Sequence, residues 1–237
     1  MREKGVDELA CDCKNCIVRS LTILSDLDFH ELEKVSSLIY IKNFKRKKVI
    51  FLEDSASLTV YMIKSGNVKT YKSLADGREQ IINILSAGDM LGFDSLYDDK
   101  YSCTAEVIQD VEMCCIRKSD LVALLQNNPA VGMKFIKIMN RELNLAQDRI
   151  RDLGLKDARE KVATLLMTLF TSRGPFQGPQ FTLSRQEISE MVGVAQETVI
   201  RILSEFRSDG VIGTEGKNIT VLDPETLTNL AGMEEGQ

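Results

Sequence analysis

Three cysteines fall within six residues near the amino end, Cys11-Asp12-Cys13-Lys14-Asn15-Cys16. Thiols interleaved with polar residues are not expected to pack a core. A loop lets all three sulfurs converge, and such a set suits a soft metal centre. C-x-C-x-x-C is not one of the better-known ferredoxin or zinc spacings, and Cys11 and Cys13 sit too near one another to serve a single ion easily. An arm with incidental thiols therefore stays open as a reading. The remaining cysteines lie mid-chain. Over Val111–Arg117, two-residue alternation puts Val111, Met113 and Cys115 on one face and Glu112, Cys114 and Ile116 on the other. Cys115 belongs with the core face, and Cys114 faces away from it, available to meet the amino-terminal arm. Cys103, at a strand start, is expected to be structural.

The rest of the composition excludes several chemistries. There is one histidine, His30, among Asp28, Glu31 and Glu33, where it reads as a solvated surface residue. That removes most histidine-based metal and acid–base chemistry. Nothing pairs a nucleophile with a base, so no enzyme is expected, although metal-binding jelly rolls exist. With 237 residues the chain has room for two domains, and a net charge of −5 argues neither for nor against a polyanionic partner. No apolar run reaches membrane-spanning length and the first residues lack a signal-peptide core. The expectation is a cytoplasmic protein with no membrane contact, whose six cysteines are not structural disulfides.

Four elements must position these residues. Residues 25–38 read as a short amphipathic helix capped by Ser25. From Ile39 to about Arg117, short apolar runs such as Val49–Leu52, Val60–Ile63, Val68–Tyr71 and Ile81–Leu85 read as strands. Gly66, Gly77 and Gly88 recur at intervals of eleven and are expected at turns, which describes an antiparallel β-roll or jelly roll. The basic cluster Lys45–Lys48 reads as a solvated loop.

A long helix follows, from about Pro129 to Leu153. Ile136, Met139, Leu143, Ala146, Ile150 and Leu153 alternate steps of three and four, a seam that one partner helix can fill. Lys137, Asn140, Arg141, Asn144, Asp148 and Arg151 occupy the opposite face, so a parallel two-fold homodimer is expected. The seam holds no charged residue, so the metal-free protein should also be dimeric. Gly154 is expected to stop the helix, and Asp157-x-x-Glu160 to open another.

That next helix, Asp157 to Arg173, leads through the loop Gly174–Pro179 to Ser184-Arg-Gln-Glu187, a capping box. Its helix reaches Met191, Val192-Gly193-Val194 makes a turn, and a second helix, Gln196 to about Ser208, packs through Val199, Ile202, Leu203 and Phe206. Two short helices joined by a glycine turn form a helix-turn-helix. Val211-Ile212 and Ile219–Val221 then flank a hairpin wing. The fold class is α+β: an N-terminal β-roll, a long dimerisation helix and a C-terminal winged helix-turn-helix. The expected boundaries are 1–24 for a cysteine arm, 25–125 for the sensory roll, 126–156 for helix and hinge, and 157–237 for the DNA-binding domain.

This succession resembles, over essentially the whole chain, the transcription regulators of the cyclic-AMP receptor protein/FNR family. Leu85-Ser-Ala-Gly88-Asp89-Met-Leu-Gly92-Phe93-Asp94 is very like the FNR branch, the iron–sulfur oxygen sensors. Cys13-x-x-Cys16 and Cys114 fall where that branch holds a 4Fe-4S cluster that oxygen destroys. The branch's further cysteine would be position 22, which is Thr22. Cys11 is the natural substitute, so the resemblance implies Cys11, Cys13, Cys16 and Cys114 as thiolate ligands, with Cys103 or Cys115 as possible replacements. Thiol oxidation, zinc or a small effector in the roll are the competing ways to sense. Members that bind cyclic AMP use an acidic residue and an Arg-Ser pair; Asp98-Asp99-Lys100-Tyr101-Ser102 here lacks the arginine, so cyclic AMP is not expected. Lys47 and Asp54 replace turn glycines that many members place early in the roll.

The second helix of the helix-turn-helix offers Glu197 and Arg201 on one face, four residues apart and able to brace one another. Arginine presents a fork to guanine N7 and O6, and glutamate accepts from cytosine N4. In the family these two positions read the half-site of palindromic double-stranded DNA. Gln196, Thr198, Ile200, Ser184, Arg185 and Lys217 complete the expected DNA-binding set, Ile200 by touching a thymine methyl or blocking a contact. From Arg173 onward there are five basic and ten acidic residues, so weak binding with a shallow salt slope is expected. RNA polymerase is a partner by family analogy, through exposed roll loops such as Ser73–Glu79.

Overall fold

A computed structural model describes residues 9–10, 13, 16–25, 27–171 and 180–233. The chain divides into two compact units, residues 1–142 and 143–237.

The first unit is built on one antiparallel sheet. Its strands are β1 (Leu9–Ala10), β2 (Ile39–Phe44), β3 (Val49–Phe51), β4 (Thr59–Ser73), β5 (Glu79–Leu85), β6 (Met90–Leu91) and β7 (Thr104–Arg117). They run in the order β1-β2-β7-β4-β5, with β3 on β7 and β6 on β4. β4 and β7 are the spine, paired from Thr59↔Arg117 to Tyr71↔Thr104. The two apolar runs within 60–71 are thus one strand, not two joined by a turn. Gly66 lies inside it, at a break in register, with φ +86. A Cβ there would stand 2.1 Å from the Asp110 carbonyl oxygen, so only glycine lets the strands cross this irregularity. Gly77 and Gly88 do sit in turns, as their spacing suggested.

Alternation along β7 separates two apolar layers. Val111, Met113 and Cys115 join the roll interior with Phe51, Tyr61, Val68 and Tyr101. Cys114 and Ile116 face the other layer, formed with Leu24, Leu32, Val35, Met62, Leu121 and Val131. Both faces of β7 are therefore buried, because helices and arm cover the outside of the roll. Those helices are α1 (Phe29–Ser36), α2 (Lys118–Asn127) and the start of α3 (Pro129–Leu155). The cap of α1 is Asp28 rather than Ser25. Asp28 Oδ1 accepts from the Glu31 amide at 2.8 Å and Glu31 Oε2 accepts from the Asp28 amide at 2.9 Å, a reciprocal box that Ser25 cannot make.

α3 carries two apolar faces, not one. Val131, Phe135 and Ile138 pack on the layer beneath the roll. Ile136, Leu143 and Ile150 of the expected seam are 58, 57 and 71% exposed. Gly154 does not stop the helix, which runs on to Leu155. Asp157 and Glu160 then exchange amide–carboxylate bonds at 2.7 and 2.9 Å and open α4 (Ala158–Thr171). The Gly174–Pro179 loop lies outside the described residues.

The second unit continues with β8 (Gln180–Thr182), α5 (Arg185–Val192), α6 (Gln196–Ser208), β9 (Ile212–Glu215), β10 (Asn218–Val221) and α7 (Pro224–Leu230). Ser184 caps α5 through its hydroxyl, and Gly193 ends it at φ 65, ψ 36, a left-handed turn that glycine adopts freely. Val199, Ile202, Leu203 and Phe206 form the buried face of α6. The wing has a third strand, β8, that the sequence pattern did not disclose.

Among the described residues no helix is long and apolar enough to cross a membrane.

Candidate functional site

Cys114 is fixed by the middle of the sheet. β7 lies between β2 and β4, and Cys114 is in register with Ile41 on one side and Met62 on the other. The amino-terminal arm reaches it because β1 pairs with β2, Leu9 opposite Ile41 and Ala10 opposite Tyr40. Cys13 is only 3% exposed and packs in the outer apolar layer, so the expectation that none of the arm's thiols could serve as core packing fails for this one. Cys16 precedes a 3-10 turn at Ile17–Leu21, its carbonyl accepting from the Arg19 amide at 3.1 Å.

Cys13, Cys16 and Cys114 line one small cleft of about 20 Å³, with Leu24, Ile39 and Met62 as apolar neighbours and Arg19 and the Glu112-paired Lys64 as cations. Thr22 lines it too. This residue is buried, its hydroxyl donating to the Arg19 carbonyl at 2.9 Å and accepting from the Leu24 amide at 3.2 Å. Among the described residues no three His, Cys, Asp or Glu side chains stand close enough to hold one metal ion. Cys11 lies outside the described residues. Among the described residues that line the cleft, the three thiols and the Met62 thioether are soft donors, the kind a thiolate-bound centre takes. Cys103 and Cys115 belong to the roll interior instead. Burial, reinforced by Asp94, pushes the Cys103 thiol up to about 11.

The roll interior is filled by side chains. The rings of Phe51 and Tyr101 stack at 3.8 Å and those of Phe51 and Tyr61 at 5.9 Å. The Tyr101 hydroxyl donates to the Thr59 carbonyl at 2.8 Å, and burial raises the Tyr61 phenol far above its ordinary range.

The second site lies between α5, the start of α6 and the wing turn. Ser184, Arg185, Gln196, Ile200 and Lys217 line one open cleft there, together with Gln186 and Gly216. Arg185 Nη1 donates to the Gly216 carbonyl at 2.6 Å, tying α5 to the wing. Glu197 and Arg201 are exposed on the same helix and Thr198 is half-buried. The expected brace between Glu197 and Arg201 is not made; Arg201 Nη1 donates to Glu205 Oε1 at 2.6 Å. Gln186 and Glu205 were missed in the sequence. The signal for Glu205 was present, since it lies four residues after Arg201 as Glu197 lies four before.

A β-roll, a long helix and a winged helix-turn-helix define a DNA-binding regulator. Residues 41–128 match the cyclic nucleotide-binding domain and residues 160–230 the Crp-like helix-turn-helix domain. The chain is 30% identical over 229 residues to the fumarate and nitrate reduction regulatory protein of Escherichia coli K12, covering 94% of this chain and 91% of that one. It is 28% identical to the anaerobic regulatory protein of Aggregatibacter actinomycetemcomitans, over 96 and 91%. The structure of FixK2 from Bradyrhizobium japonicum superposes with a TM-score of 0.75 at 29% identity, over 84% of this chain and 99% of that one. The chain belongs to the CRP/FNR family of DNA-binding transcription regulators.

Proposed function

We propose that this regulator is a homodimer switched by an iron–sulfur cluster, of the 4Fe-4S type, held by Cys11, Cys13, Cys16 and Cys114. The observation that carries the reading is that Cys13, Cys16 and Cys114, from the arm and from the central strand, line a single cleft. The named relatives add to it, being regulators of fumarate and nitrate reduction and of anaerobic response. When bound, such a cluster supplies thiolate-ligated iron whose integrity depends on oxidants. The chain's own part is to bring the arm's thiols to a strand that cannot move. Leu24, Ile39 and Met62 make the site apolar, and Arg19 offsets thiolate charge, the ammonium of Lys64 being already paired with Glu112. Cyclic AMP does not fit this account: stacked aromatic rings occupy the roll interior, and Asp98 and Asp99 would repel a phosphate.

The deciding experiment is iron and sulfide analysis of protein purified without air, with an absorption spectrum of the reconstituted form. Near-stoichiometric iron and sulfide, lost on exposure to air, is the expected result. Zinc alone, or no metal with a reversible disulfide, would replace the cluster by one of the other thiol chemistries.

On DNA, Arg201 reads a guanine and Glu197 a cytosine, two such helices serving a palindromic site about 34 Å from half-site to half-site. Arg201→Ala should cost on the order of 1–3 kcal/mol at the base it reads. An unchanged footprint and base preference would remove Arg201 from the reading set. The scarcity of basic residues from Arg173 onward gives a shallow salt slope, which a titration of affinity against salt checks. The cytoplasm is the natural place for such a regulator, and RNA polymerase contacts would come from roll loops such as Ser73–Glu79.

A further inference from the structure

Arg201 does not stand alone on its helix. Its Nη1 donates to Glu205 Oε1 at 2.6 Å, and the other oxygen of the same carboxylate, Oε2, accepts from Arg159 Nη1 at 2.5 Å. Arg159 comes from the first turn of α4, not from the helix-turn-helix. It is held there twice over: its guanidinium lies 4.8 Å from the ring centre of the fully buried Phe206, and Nη2 reaches Asp209 at 3.4 Å. The chain of contacts therefore runs from core to surface, Phe206 to Arg159 to Glu205 to Arg201.

From this we infer that Glu205 is a positioning residue for base reading and that Arg159 is its clamp. The inference rests on Arg201 being a reading residue. A guanidinium has three nitrogens, and a bidentate contact to guanine uses two. Glu205 engages Nη1, which leaves the Nε and Nη2 edge as an intact fork. An unrestrained arginine spreads over many rotamers, and that entropy is lost when it docks. With Glu205 in place much of the loss is taken in the free protein. Arg159 is needed because a lone carboxylate on this face would repel phosphates and would itself be mobile. With both oxygens engaged, Glu205 is neutralised and held. The pairing has the less favourable helical order, arginine before glutamate, so its geometry is owed to Arg159 rather than to the helix alone.

The test is binding of the full-length protein to a palindromic duplex and to one with the base pair read by Arg201 changed from G·C to A·T. The preference between the duplexes is the readout. Glu205→Ala should lower that preference by about three- to tenfold. Arg159→Met should lower it in the same direction, and the double variant no further than Glu205→Ala. Glu205→Gln, which keeps an acceptor oxygen for Arg201, should recover part of the loss. In an Arg201→Ala background, Glu205→Ala should change the preference no more. Urea midpoints of all variants separate positioning from folding. If Arg201→Ala abolishes the preference and Glu205→Ala leaves it intact, the positioning role is wrong while the reading role stands. If Arg201→Ala leaves the preference intact, the reading role itself fails.

Discussion

Met62 and Cys114 are register partners across β4 and β7, and both line the cleft that Cys13 enters from the arm. A thiol on the sheet's central strand thus lines the same cleft as a thiol from the arm.

Cys114→Ser should abolish cluster assembly, seen as loss of iron and sulfide in anaerobically purified protein. Thr22→Cys should rescue a Cys11→Ala variant, because position 22 already lines the cleft. Failure of the rescue, with Cys11→Ala itself losing its iron, would show that position 22 cannot serve as a ligand here.

Leu143→Arg or Ile150→Arg should convert the protein to a monomer, in the cluster-free form as well. Both residues are more than half exposed in the single chain, an apolar stripe that a second α3 would cover. Sedimentation of the metal-free protein checks this. A native metal-free monomer that dimerises only with iron would overturn the uncharged-seam argument.

Gly66→Ala should destabilise the first unit by about 3 kcal/mol or more, since a Cβ collides with backbone at a positive φ. Lys47 and Asp54 also have positive φ, 68 and 62, a region that favours glycine. Lys47→Gly should be neutral or stabilising by up to about 1 kcal/mol, strain relief opposing chain entropy. Urea midpoints decide both.

Cys103 should resist alkylation. Its thiol is raised from 9.0 to about 11, so at pH 8 its thiolate fraction is on the order of a hundredfold below that of an unfolded cysteine. The folded state keeps this proton while the unfolded chain releases it. The site's contribution to stability is therefore complete below about pH 9 and lost as pH climbs toward about 11. Iodoacetamide labelling read by mass spectrometry, with and without urea, tests the difference.

Local chemistry in the chain carried most of the architecture. Capping boxes at Ser184 and Asp157, the Gly193 turn and the alternation around Cys114 are short-range patterns, and each forms as read. The misreadings share a cause in tertiary contact. Gly66 looked like a turn because the partner strand that forces its conformation lies far along the chain. The second apolar face of α3 went unread beside the regular seam, since only the packed roll explains Phe135 and Ile138. Cys13 did not read as core because no pattern within six residues tells that a sheet face waits above it. Arg201 pairs with Glu205 rather than Glu197, and Glu205 is also bonded by Arg159 from another helix, a contact no local pattern announces.

The two-residue strand Leu9–Ala10 has a consequence for handling the protein. It occupies the outermost position of the sheet, beside Tyr40 and Ile41. A truncation that begins at Cys13 would strip this guard and leave the amides and carbonyls of an edge unpaired. Unguarded edges recruit other strands, so the shortened chain should aggregate before it unfolds.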